Sequence, residues 1–588
     1  MRTSNNNLEH NNIAFQNNIT LEETNNTTSI DLEQHSYTGP INAQSPDIYR
    51  QDTNLTRLDS HTASYVDALI KQATNSSQPL PQMGDNKPLP PHLPDRTPYE
   101  VAFNGSNDPE HPFNWKLSLK LYISFACCIT SVAVTLGSAM FAASQPVLMQ
   151  KFHIGWTPSA LATSLFVFGF ASGPIIWGPV SEIYGRKIPL IISSLGFVCF
   201  SFGVATAKDI QTIMICRFWA GCVGSAPLVI VPAIFADIFD AETRSRALGI
   251  FSMCLFGGPL IAPVLGGFTV KNSDLGWRWN GYFIAIVGSL GLCLCAFIPE
   301  TLADIILIDK AEKLRRRTGI WGIYAPHEQI KLSIKEICQN QITRPLMMLF
   351  TEPILFLISL YNAFVYGILY LFLTAIPMIF TGLYGWSHGV GELPYIAMFI
   401  GTILGGIIVF IFELRIKKIM QRNNGYVAPE EKLLPMMIGS VCFTIGIFWL
   451  GWAGGFGNKV HWIVPTIGCV PIGAGLIAIF LPCLTYLVDC YIFYAASAIS
   501  ANTILRSSFG GVFPLISKQM FDKLEIKWGC TLIGCIAALL IPVPFLFYWY
   551  GKSLRIKSKY CASFEEVNIE TKQQQLISEQ TTMDISIK

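Results

Sequence analysis

The sequence predicts an all-α membrane protein, with twelve transmembrane helices in two bundles of six behind a disordered N-terminal arm. Three observations carry that expectation. Of 588 residues, 51% are hydrophobic and 14% charged, against about 25% charge in an ordinary soluble protein. That is too little charge to solvate several globular domains. Apolar stretches of about 20 residues, the length that crosses a hydrocarbon core of about 30 Å, recur from Lys120 onward. The Lys and Arg residues are sorted between alternate loops. A net charge of +2 also argues against a nucleic-acid partner, which calls for a basic patch.

Residues 1–115 are rich in Asn, Thr, Ser, Gln and Pro, with 12 Asp+Glu against 6 Lys+Arg up to Glu100. Such a composition cannot bury enough apolar surface to offset the entropy of ordering, so a disordered arm is expected. No basic start leads into an apolar 7–15-mer, so the arm is not a signal peptide. The Asn-x-Ser/Thr matches at Asn18, Asn54, Asn75 and Asn104 are read as chance.

Twelve apolar segments follow, near 121–143, 158–180, 188–206, 210–236, 247–269, 281–299, 350–374, 389–412, 434–454, 461–487, 492–516 and 529–550. A basic linker over 300–346 separates an N-terminal bundle (116–299) from a C-terminal one (347–550), and 551–588 form a polar tail. With the N-terminus inside, the inner loops and the start of the tail hold 21 Lys+Arg and the outer loops 8. The positive-inside rule then places both termini in the cytosol.

The 16 cysteines fall mostly within apolar segments, and none has zinc-ligand spacing with partner histidines. No H-E-x-x-H, P-loop or G-x-S-x-G occurs, so enzyme chemistry has no foothold and no metal or cofactor is expected.

Three features in the membrane half carry function. Between spans two and three lies Gly178-Pro179-Val180-Ser181-Glu182-Ile183-Tyr184-Gly185-Arg186-Lys187. Its acid and its Arg-Lys pair sit at a helix end, where they either lock one conformation and release in another or simply form a basic inner loop. Asp237 and the run Glu242-Thr243-Arg244-Ser245-Arg246 offer a second set of charges for such a relay. Arg217, within span four, is costly in hydrocarbon; it faces a cavity or partner, or snorkels from a span edge. Span five carries Gly257-Gly258-Pro259-Leu260-Ile261-Ala262-Pro263-Val264-Leu265-Gly266-Gly267, a density of Gly and Pro that bends a helix and lets neighbours approach closely.

The loop resembles the G-x-x-x-D-x-x-G-R-K signature of the major facilitator superfamily, with Glu182 in place of Asp. Arg217-Phe218-Trp219-Ala220-Gly221 is similar to that superfamily's span-four arginine motif, which implies a part in proton transfer for Arg217. The span-five stretch resembles the G-x-x-x-G-P-x-x-G-G signature of drug:proton antiporters, carried here by Gly258, Pro259, Pro263, Gly266 and Gly267, with Ala262 where the family has Gly. Pro299-Glu300-Thr301, Glu352-Pro353 and Tyr486-Leu487-Val488-Asp489 strengthen a likeness to fungal twelve-span drug:proton antiporters, which include multidrug and polyamine exporters. The resemblance covers about residues 108–550.

It implies the major facilitator fold, with substrate held between the bundles near the midplane. Candidate cavity residues are Asn362, Tyr366 and Tyr370 on one face of span seven, and Asn502 and Arg506 in span eleven. The alternative for the aromatics is an interfacial belt or plain packing. The expected activity is proton-coupled export of hydrophobic or cationic drugs, with polyamine export, or uptake of a nutrient or organic cation, as alternatives. Spermidine would want carboxylates along its path, and no Asp or Glu falls at the centre of any span. The expected partners are small-molecule substrate, protons and the lipid bilayer of the plasma membrane, and a monomer suffices. The proton gradient is the expected energy source.

Overall fold

The computed structural model describes residues 82–84 and 99–561, apart from 106, 330–342, 423–426 and 492–493. Most of the expected arm and the tail beyond residue 561 lie outside the described residues. The described residues build an all-helical protein whose spans follow the apolar segments. Spans one to six are Leu117–Phe152, Trp156–Ile183, Lys187–Thr206, Ile210–Ile238, Thr243–Lys271 and Arg278–Ala296. Spans seven to ten are Pro353–Leu383, Val390–Arg422, Pro429–Gly455 and Ile463–Cys490.

The last two expected spans form one helical track, Ala495–Lys557. Its direction reverses at Glu525, which sits at φ 57°, ψ 167°. There is no loop between them, only this one non-helical residue. Past it, Trp528 meets Trp452 of span nine at 5.9 Å between rings. With twelve crossings, Leu117 and Lys557 lie on the same side of the protein, called here the termini face; the opposite side is the far face.

Local chemistry sets the helix ends. Asp209 caps span four by accepting from the Thr212 amide at 2.9 Å, and Asp240 caps span five by accepting from the Thr243 amide at 3.3 Å; both satisfy amides that have no partner within the helix. Span four is broken into Ile210–Gly224 and Ala226–Ile238, with Pro227 at the start of the second piece. Burial then sorts the spans. The apolar window of span seven is 89% buried, that of span eight 39%. Span seven is therefore the inner helix of the second half. Span eight turns Ile396, Ile400, Ile403 and Ile407 outward, a stripe at helical spacing that suits lipid.

The arm is not without structure to its end. Tyr99 and Val101 pack with Met83 against Ala311, Leu314, Ile323 and Ala325. Glu100 forms a parallel bridge to Tyr324. This segment docks on a linker helix, Ala303–Thr318, where buried Lys310 sits 3.7 Å from Asp108 and 3.2 Å from Glu110. The expectation of disorder up to 115 fails for 99–115, because a partner in the linker supplies the apolar surface the segment lacks by itself.

Candidate functional site: the seam between the two bundles

Two arginines are buried deep within the spans, in opposite situations. Arg217 lies about 10 Å along span four at 1.5 Å per residue and is almost completely buried. Its Nε donates to the carbonyl of Ala162 at 2.8 Å, its Nη1 to Gly137 at 2.6 Å and its Nη2 to Ser138 at 3.4 Å. The guanidinium also lies 4.4 Å from the Phe166 ring centre and 4.7 Å from that of Phe141. The charge is met by backbone dipoles and aromatic faces, not by a carboxylate. Arg217 thereby ties spans one, two and four together.

Arg506 lies about 16 Å into span eleven, near the middle of a 30 Å core. It is also buried, and it sits 4.8 Å from the Tyr366 ring centre and 5.0 Å from that of Phe480. Its Nε has no hydrogen-bond partner. One turn earlier, the Oδ1 of Asn502 accepts from the Nδ2 of Asn362 at 3.1 Å, joining spans seven and eleven. The Nδ2 of Asn502 and the Oδ1 of Asn362 are buried without partners.

The five expected cavity residues are thus brought together. Tyr366 and Tyr370 touch through their hydroxyls at 3.3 Å, and the Tyr370 hydroxyl donates to Ser138 Oγ of span one at 2.8 Å. A polar chain therefore crosses the seam from Arg506, through the two tyrosines, to Ser138, whose carbonyl faces Arg217. Phe480 and Phe256 of span five close the seam beside it, 4.7 Å apart. Sequence reasoning missed Ser138, Phe256 and Phe480: nothing marks one serine or phenylalanine among many apolar neighbours.

The loop between spans two and three closes on Asp237, which the sequence offers for the relay, and on a second carboxylate that the sequence reading did not include in it. The Nε of Arg186 meets Asp237 Oδ2 at 3.2 Å, and its Nη1 donates to Ser181 Oγ at 3.0 Å. Ser181 in turn bonds the Gly178 carbonyl at 2.8 Å. Glu182, which the signature puts in the relay, is exposed and stands apart from this ion pair. The carboxylate that closes the loop belongs to Glu300, at the end of span six. It accepts from the amides of Arg186 at 2.8 Å, Lys187 at 3.1 Å, Thr301 at 2.9 Å and Leu302 at 3.0 Å. Gly185, at φ 86°, faces it so closely that a Cβ there would lie 2.4 Å from Glu300 Oε2. The signal for Glu300 was present in the Pro-Glu-Thr triplet, but not its partner. Arg244 sits half-buried on the first turn of span five; the side chain of Glu242 lies outside the described residues.

Span five runs along the seam. Gly258 abuts Thr135 and Gly266 abuts Met140, both on span one. Pro259 and Pro263 lie inside the helix. At the far face Gly267 meets Gly389 and Glu392 of the second half, and Lys271 donates to Ser387 Oγ at 3.1 Å. At the termini face the Ser245 hydroxyl donates to Glu413 of span eight at 2.9 Å. Span five is in contact with span eight at both ends.

Two helical bundles meeting at a polar midplane seam define a membrane transporter of the alternating-bundle kind, and the comparisons give its family. Residues 127–514 match the Major Facilitator Superfamily model, and the chain belongs to that superfamily. It is 57% identical over 515 residues to the major facilitator superfamily multidrug transporter FLU1 of Candida albicans, covering 87% of this chain and 84% of the relative. The multidrug transporter TPO1_2 of Candida glabrata is 47% identical, with 82% and 83% covered. Among solved structures, the partially occluded inward open xylose transporter XylE from E. coli superposes with a TM-score of 0.53 at 18% identity, over 74% of this chain and 97% of XylE. At that identity the likeness concerns fold alone.

Proposed function

We propose that the protein is a proton-coupled exporter of hydrophobic small molecules, drugs and xenobiotics among them, working by alternating access in the plasma membrane with both termini cytosolic. The observation that carries this reading is the midplane cluster of Tyr366, Tyr370, Asn362, Asn502 and Arg506 at the contact between the bundles. Relatives at 57% and 47% identity that are named multidrug transporters support the substrate class. Aromatic faces bind flat hydrophobic bodies. The Gly/Pro-rich span five, packed along span eight, supports export over uptake. Protons moving down their gradient, with no bound cofactor, drive the cycle in a monomer. Polyamine export is the weaker alternative, because the midplane cluster offers a guanidinium where a polycation needs carboxylates.

Expressed in a cell stripped of its own exporters, the protein lowers accumulation of a hydrophobic fluorescent dye, and a protonophore abolishes the effect. Unchanged accumulation at confirmed surface expression sinks the proposal.

A further inference from the structure

The contrast between the two intramembrane arginines has a chemical consequence. Burying a guanidinium is tolerable when acceptors replace its water. Arg217 has three such acceptors. Arg506 makes no hydrogen bond or ion pair to any described residue, and its Nε is sealed from solvent. It rests on two aromatic rings alone. The Nδ2 of Asn502, one turn away on the same helix face, is a second buried donor without a partner. Two buried donors, one of them cationic, thus converge at the midplane seam. The buried carboxylates of the second half, Glu352, Glu392 and Glu430, all lie at span ends.

We infer that Arg506 and Asn502 form an oxyanion subsite, and that the transporter carries aromatic or amphipathic molecules bearing a carboxylate or comparable oxyanion. The oxyanion accepts from the guanidinium and from the Asn502 amide, while the ring system lies against Tyr366 and Phe480. Charge-assisted hydrogen bonds of this kind are the strong ones, and at the midplane they have no competing water. The inference rests on the seam being the substrate path and sharpens the substrate class toward organic acids, away from the cations that an aromatic cavity first suggests.

The test uses the full chain in inside-out vesicles with an imposed pH gradient. Two permanently charged probes of matched size are compared: 1-naphthalenesulfonate and a trimethyl(1-naphthyl)ammonium ion. The unaltered protein accumulates the sulfonate, and R506Q lowers the ratio of sulfonate to ammonium flux by about tenfold or more, the worth of one charge-assisted hydrogen bond. N502D, which sets a carboxylate against the guanidinium, lowers the same ratio without removing the arginine. A ratio unchanged in both variants overturns the inference, as does ammonium flux with no sulfonate flux in the unaltered protein; that second result leaves the export reading standing. If neither probe moves, thermal stabilisation of the purified protein by 1-naphthoate decides the subsite alone: a shift that R506Q and N502D abolish supports it, and no shift overturns it.

Discussion

Tyr370 donates its hydroxyl hydrogen bond to Ser138 Oγ at 2.8 Å, across the seam that separates span seven from span one. The acceptor is itself anchored, because Ser138 Oγ donates to the carbonyl of Thr135 at 2.7 Å. The bond therefore joins the inner helix of one bundle to the helix that Arg217 holds in the other. Two bundles that rock about a midplane site must break such a bond once per cycle.

Tyr370→Phe removes the bond at little packing cost; Ser138 keeps its contact with Thr135, and the Tyr366 hydroxyl loses its partner within the same bundle, in both facing states alike. The expected loss is about 1 kcal/mol, a typical net hydrogen-bond contribution. It falls on the conformer seen here alone, so the balance between the two facing states shifts. Thiol labelling of a cysteine placed in the far-face half of span seven should become faster in the variant, with surface expression preserved. Labelling at the unaltered rate would mean that the bond does not hold the seam closed.

Arg217 calls for a different expectation from the one its motif suggests. Because its guanidinium bonds three carbonyls in two neighbouring spans, Arg217→Ala should cost about 3 kcal/mol or more, the penalty for breaking a buried charged network. Expression and transport then fall together. Arg217→Lys keeps the charge but cannot fork to three acceptors, and it should recover only part of the loss. Full expression of the alanine variant with transport lost would argue for a purely proton-handling role.

The loop between spans two and three separates its two glutamates. Glu300→Gln replaces a charged acceptor of four backbone amides and should reduce transport several-fold, as should Asp237→Asn, which takes the charge from Arg186. Glu182→Gln, at an exposed position, should stay within about 0.5 kcal/mol of the unaltered protein. Transport rates normalised to surface protein check this ordering, and a Glu182 effect as large as that of Glu300 reverses the assignment.

How much of this could be read from the chain depends on where each constraint originates. The spans were legible because a bilayer dictates length and hydropathy everywhere. Arg217 and Arg506 stood out because charge in hydrocarbon is anomalous. Glu300 stayed hidden because its partners are backbone amides, which every residue carries. Ser138 stayed hidden because serines within apolar helices are common. The break between spans eleven and twelve was legible from the charged run Lys518 to Lys527, but not its tightness at Glu525, since Leu524 and Ile526 flank it with no Gly or Pro at the turn. The order of 99–115 depends on Lys310 and Leu314, some two hundred residues away, which local composition cannot register.

The docking of that segment has a defined response to acid. Burial alone would raise the carboxyl of Asp108, but amides from Asn104 at 2.8 Å and Glu110 at 2.9 Å, together with Lys310, outweigh it and hold the group below its ordinary 3.8. A carboxylate lowered on docking contributes stability that is present above the ordinary value and is lost as pH falls through the lowered one. Protection of residues 99–116 from protease should therefore be unchanged from about pH 7 down to pH 5 and should disappear only below the ordinary carboxylate range. Asp108→Asn should loosen the segment at neutral pH, since the buried Lys310 then keeps only the exposed Glu110 as a charged partner. Loss of protection already near pH 6 would assign the docking to a histidine instead.

Gly267 tests the role of span five at the far face. A Cβ there would lie 2.8 Å from the Gly389 Cα and 2.9 Å from the Glu392 Cγ, closer than carbon atoms approach without displacement. The backbone of Gly389 cannot move aside as a flexible side chain would, because its φ of 86° already fixes a tight turn. Gly267→Ala must then push span five away from span eight, at a cost of about 1–3 kcal/mol for overpacking. That cost falls on the state in which the far face is closed, and the state in which the bundles part there is spared. Gly258→Ala serves as the comparison, because its added methyl meets Thr135 within the first bundle and disturbs both states alike. The expected result is that Gly267→Ala raises far-face labelling of a seam cysteine and lets a coupling proton leak inward without substrate, measured as vesicle acidification, whereas Gly258→Ala lowers expression without a leak. A leak of equal size from both variants would place the seal elsewhere than at the contact between Gly267 and Gly389.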